Sequence, residues 1–147
     1  VPHPQNAEIQ GVGKIIATLD ELPGGKWVDF PCCTMNVTNE LIDTHPEIVQ
    51  AMVKATTDIH DFAQENREAT ADYLAEFMGL EKEVIMNNDT TYSTTPSDNF
   101  KNGMRIYYDA MTEMGKFTGE FQGKEFDDIK DQVFDLTFIE NVIKNKE

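Results

Sequence analysis

The sequence predicts a helix-rich α/β chain with one clear strand, at about residues 30–38, and about five helices. Three observations carry this. Apolar residues recur at helical spacing through most of the chain. Phe30–Thr38 instead alternates with period two. Glycine, proline and capping residues stand at the ends of the helical stretches. A length of 147 residues corresponds to about one domain.

Pro2 and Pro4 set an extended or turning start. From Gln5 to about Leu19, Ala7, Val12, Ile15, Ile16 and Leu19 form one stripe of a helix that contains Gly11 and Gly13. Leu22-Pro23-Gly24-Gly25 breaks it. In the strand, Cys33, Met35 and Val37 alternate with Cys32, Thr34 and Asn36, which gives one buried and one mixed face. Thr44 reads as the cap of the next helix, with Pro46 in its first turn and Glu47 completing a capping box. Ile48, Val49, Met52, Val53, Ile59 and Phe62 give that helix a buried stripe to about Gln64.

Asn66 caps a following helix through Ala69, Tyr73, Leu74 and Phe77, stopped by Gly79 with Leu80 behind it. A short helix is expected over Lys82–Asn88, then a polar loop over Asp89–Thr94 that contains Tyr92. Thr95-Pro96 opens a long helix whose apolar side is Phe100, Met104, Tyr107, Tyr108, Met111 and Met114, with Gly115 as its stop. That stripe reads as core. Phe117–Gly123 is a glycine-punctuated loop. Thr137-Phe138-Ile139-Glu140 reads as a second capping box before a terminal helix that ends near Lys146.

Charge narrows the function classes. With 27 acidic against 12 basic residues the formal charge is -15, and no Lys/Arg cluster offers phosphate contacts, which argues against nucleic acid and against an anionic membrane surface. No apolar run approaches the roughly 18 residues that cross a bilayer. The two cysteines are adjacent and lack the CxxC spacing of a zinc or redox motif. The better reading of Cys32-Cys33 is a pair of small side chains in a buried strand.

No catalytic constellation is legible. Gly11-Val12-Gly13-Lys14 fails as a phosphate loop, because Glu8 or Ile9 stands where a glycine is needed and Ile15 where Ser or Thr is needed. His45 and His60 are roughly 22 Å apart along one helix and cannot share a metal. His3 sits in a proline-bracketed turn before a helix, a setting that presents a side chain and helix N–H groups to a small anion. Asn36-Val37-Thr38 and Asn88-Asp89-Thr90 match the short glycosylation pattern. Neither an enzyme, a cofactor nor a metal site is expected.

The order of features is more specific than any one of them. Val1-Pro2-His3-Pro4, Gly11-Val12-Gly13-Lys14, Phe30-Pro31-Cys32-Cys33-Thr34-Met35-Asn36-Val37 and Leu41-Ile42-Asp43-Thr44-His45-Pro46-Glu47 follow one another. Glu65-Asn66-Arg67-Glu68-Ala69, Leu74-Ala75-Glu76-Phe77-Met78-Gly79-Leu80 and Phe134-Asp135-Leu136-Thr137-Phe138-Ile139 come after them. Over almost all of its length the chain resembles the C-terminal half of the nitrate/sulfonate/taurine and thiamine-precursor type of ABC-transporter solute-binding protein, in the type 2 periplasmic-binding-protein superfamily.

The resemblance implies the C-terminal half of a two-lobed fold in which the N-terminal half is absent. Residues 1–29 would be a closing turn and helix of the second lobe. Residues 30–147 would supply a crossing strand and helices that pack on the first lobe. It further implies capture of a small anionic or heterocyclic solute by lobe closure, delivery to a membrane permease, and a secreted or lipid-anchored, extracytoplasmic location. His3, Pro4, Asn6, Cys32 and Cys33 are the ligand-binding residues expected on this resemblance. Apolar faces left without partners would favour self-association. The cysteine-rich iron motif of the thiamine-precursor synthases is not met by Pro31-Cys32-Cys33. From another class, a free-standing acidic helical module that binds a partner helix in an apolar groove also fits the composition; the Phe30–Thr38 strand counts against it.

Overall fold

The computed structural model describes residues 2–88 and 94–146. Eight α-helices are found among them, and the chain divides into two compact units. The first comprises Val1–Thr18 and Ala55–Thr94, the second Leu19–Lys54 and Thr95–Glu147.

In the first unit, α1 (His3–Ile9) starts from Pro2 with Pro4 in its opening turn, where a missing N–H costs nothing. It ends where the backbone turns left-handed at Gly11, φ 68°. The N–H groups of Val12 and Gly13 donate to the Ala7 carbonyl at 2.9 and 3.2 Å and close that end. α4 (Arg67–Met78) stops at Gly79, φ 65°, where Leu80 N–H donates to Ala75 O at 3.0 Å. α5 (Lys82–Met86) packs on both α4 and α1. Ala71 of α4 and Val84 of α5 are buried, and Lys82 Nζ meets Asp72 at 2.8 Å across the α4–α5 pair.

In the second unit, α2 (Asn39–Thr44) is capped by Thr38, whose hydroxyl accepts from Leu41 N–H at 3.2 Å. α3 (Pro46–Glu65) follows, and the boundary between the units falls inside it. Gln50 on its first turns donates to Phe138 O at 3.0 Å, fastening α8 (Thr137–Lys144). α6 (Asp98–Glu113) is capped by Ser97, whose hydroxyl accepts from Phe100 N–H at 3.0 Å and also bonds Asp29. α7 (Phe126–Val133) packs on α6. Between them Tyr108, Phe126 and Ile129 form a buried cluster with Met104, Phe117, Phe121 and Phe134 packed around it. The Tyr108 hydroxyl donates to Lys124 O at 2.8 Å, so its polar end is satisfied inside that core.

Several sequence expectations change. The fold class does: no strand is present among the described residues, so residues 30–38 are not the strand of an α/β fold, and the described residues are helix-rich. An alternating pattern makes a segment extended-compatible, but a strand exists only where a neighbour completes its ladder. Here Pro31 is buried against α6 instead. The first helix is seven residues long rather than reaching Leu19, and Val12 and Ile16 of its expected stripe are exposed. Thr44 closes α2, donating to Glu40 O at 2.6 Å, and is not the cap of α3. At the α8 start Asp135, not Thr137, is the acceptor, taking the Thr137 N–H at 2.9 Å. Asn66 stands at the expected cap position of α4, but its side chain donates back to Phe62 O at 3.0 Å. α7 was not anticipated. The Asn88-Asp89-Thr90 pattern and most of the expected Asp89–Thr94 loop lie outside the described residues.

Candidate functional site

The five expected ligand residues divide between the units: His3, Pro4 and Asn6 belong to the first, Cys32 and Cys33 to the second.

His3, Pro4 and Asn6 all lie on the seven residues of α1, so the turn expected around His3 is the first turn of a helix. His3 and Pro4 are exposed. Asn6 is half-buried and accepts from Gln10 Nε2 at 3.1 Å through Oδ1. Between them stands Gln5, which sequence reasoning missed. Its side-chain carbonyl oxygen is buried and has no hydrogen-bond partner among the described residues, as is also true of the Thr70 hydroxyl. Buried polar atoms are nearly always satisfied by protein or by bound molecules. The Gln5 oxygen is therefore an unsatisfied acceptor on the same short helix as His3 and Asn6. No apolar periodicity could have flagged it, because Gln5 is polar.

In the second unit Cys32 and Cys33 are exposed free thiols, not members of a buried strand. Their sulfurs are 3.7 Å apart, with Cys33 Sγ donating to Cys32 Sγ. The hydrogen bond to Cys33, reinforced by its charge and by slight burial, raises the Cys32 pKa.

Cys32 lines a pocket of about 350 Å³ together with Pro31, Thr34, Met104, Tyr107 and Met111. Part of the α6 stripe expected to be core is thus a cavity wall: Tyr107 is 45% and Met111 38% exposed, whereas Tyr108 is buried. A second pocket of about 300 Å³ shares Met104 and Phe134 with the first and is lined by Lys101, Arg105, Asp127 and Lys130. Arg105 lies over the Phe126 ring at 4.9 Å and meets both Asp127 oxygens at 2.7 and 2.8 Å. That pairing, with Lys130 at 3.2 Å, lowers the Asp127 pKa. Both cavities fall at the small end of ligand-pocket sizes.

Among the described residues no helix is long and apolar enough to cross a membrane. A family model described as the NMT1-like family matches residues 1–79, just over half of the chain, and all five expected ligand residues fall within the match. No curated protein and no solved structure matches the chain.

Proposed function

Since the chain belongs to the NMT1-like family, the nitrate/sulfonate/taurine-binding type, we propose that it serves as the solute-binding component of an ABC importer. It captures a small anionic or heterocyclic solute outside the cytoplasm, in the periplasm or anchored at the cell surface, and presents it to a membrane permease. Capture works by population shift: a solute that touches both lobes favours the closed form over the open one. The family match over residues 1–79 carries this reading.

Within it, His3 and Asn6 supply polar contacts to the solute from α1, and Pro4 holds the first turn. The expected role is binding without covalent chemistry.

The test is thermal denaturation of the full chain with nitrate, taurine, an alkanesulfonate and an aminopyrimidine added separately at millimolar concentration. A ligand present at 100 times its Kd stabilises the native state by about 2.7 kcal/mol, so one class should raise the Tm by several degrees. No shift with any class speaks against the reading.

A specific observation favours a second reading. The strand that counted against a helical interaction module is absent among the described residues, and Tyr73 and Phe77, one turn apart on α4, are 68% and 88% exposed. In that reading they hold a partner helix. Failure of every solute class makes it the one to pursue.

A further inference from the structure

The vicinal thiols carry a property that solute capture does not use. Metal–thiolate bonds of about 2.3 Å at trigonal or tetrahedral angles hold two sulfurs about 3.8–4.0 Å apart. Cys32 and Cys33 Sγ, at 3.7 Å, already stand near that spacing, and both are free and exposed. Cys32 lines the apolar pocket of the second unit, and Met104 and Met111 line the same pocket. Nitrogen and oxygen ligands are not gathered there: among the described residues no group of three or more His, Cys, Asp and Glu could hold a metal ion. The pocket lining holds one thiol, that of Cys32, and two thioethers, and the Cys33 sulfur adjoins the Cys32 sulfur. Such soft donors select Cu(I), whereas structural zinc takes four ligands from thiolate, imidazole and carboxylate.

We propose that Cys32 and Cys33 bind one Cu(I) ion at the mouth of this pocket, with a thioether of Met104 or Met111 as the third ligand. Binding breaks two S–H bonds and forms two copper–sulfur bonds. The two protons leave to solvent, and copper stays in its +1 state, so no oxidant or reductant is needed. Proton release makes the affinity rise with pH. A thioether in the pocket wall distinguishes this site from a bare thiol pair, because Met is flexible enough to reach toward the metal. The proposal stands independently of solute capture.

The test is an anaerobic titration of the reduced full chain with Cu(I) against a chromophoric Cu(I) chelator, with a parallel titration using Zn(II). The expected result is one equivalent of Cu(I), held far more tightly than Zn(II). Cys32→Ser and Cys33→Ser should each weaken Cu(I) binding at least about 100-fold, and the Met104→Leu/Met111→Leu double variant about tenfold, with an unchanged far-UV spectrum. Both cysteines are exposed, so their substitution does not disturb a core. Equal affinity for Zn(II), Cu(I) binding that survives either serine variant, or a double methionine variant that binds like the wild type would each overturn the proposal.

Discussion

Gly103 and Pro31 are in such close contact that a Cβ added to the glycine would stand 2.3 Å from Pro31 Cδ and 2.8 Å from Cγ. Gly103 is buried within α6, and the ring of Phe30 closes the same spot, 3.0 Å from that Cβ position. Phe30 in turn packs in tilted contact with Trp27 and Tyr107, with ring centroids at 4.7 and 5.0 Å. This is how the segment read as a strand is held: by a ring set into a notch on a helix, not by a ladder.

Gly103→Ala is therefore expected to destabilise the protein by about 1–3 kcal/mol. Helix propensity alone argues the opposite sign, since Ala is favoured over Gly by about 1 kcal/mol inside a helix. The clash wins because a proline ring has no rotamer by which to withdraw. Urea denaturation of the single variants and of Gly103→Ala/Pro31→Ala checks it. The double variant should be less destabilised than the sum of the singles, and a more stable Gly103→Ala would contradict the packing.

The cap assignment separates Thr38 from Thr44. Loss of the Thr38 hydroxyl leaves the Leu41 N–H without its acceptor, so Thr38→Ala should cost about 1 kcal/mol. The Thr44 hydroxyl satisfies no free helix N–H and only doubles a bond to the Glu40 carbonyl. Thr44→Ala should change the denaturation midpoint by less than half as much. A larger effect at Thr44 would restore it as the cap of α3.

How far the sequence was legible follows from these cases. The end of α4 at Gly79-Leu80 and that of α6 at Gly115 were readable because left-handed glycine caps are local chemistry: Lys116 N–H donates to Met111 O at 2.9 Å just as Leu80 does to Ala75. The Phe30–Thr38 segment was misread because strand formation depends on a partner that period-two alternation does not supply. Thr44 was misread because two helices, α2 and α3, meet at His45, and a threonine there fits the end of one as well as the start of the other. α7 was missed although Phe126, Ile129 and Val133 recur at helical spacing, because acidic and basic residues fill the positions between them. In the candidate site, the spacing around Cys32 and Cys33 read as a buried strand, and their exposure was not legible from it. The exposure of Tyr107 and Met111 was not legible either, since apolar spacing on a helix marks a face without saying whether that face is covered.

The Arg105–Asp127–Lys130 cluster gives a pH signature. Hydrogen bonds first from Arg105 and then from Lys130 lower the Asp127 pKa in the folded state. A carboxylate with a depressed native pKa adds stability that is fully present above its unfolded pKa, about 3.9, and is lost as the pH falls through the lower native value. The Tm of the wild type should therefore exceed that of Asp127→Asn at pH 7, with the gap closing below about pH 4. The groups are exposed, so the gap should also shrink in 1 M salt. A gap that is independent of pH would show that the variant acts through packing on Phe126 instead.

Solute capture is tested most directly by calorimetric titration of the full chain and its His3→Ala variant with whichever solute class raises the Tm. The expected result is one-site binding whose affinity falls about 10- to 100-fold in His3→Ala, the loss of one hydrogen bond to a charged or polar ligand. Binding heat that is absent for every class, or an affinity unchanged by His3→Ala, would contradict the account.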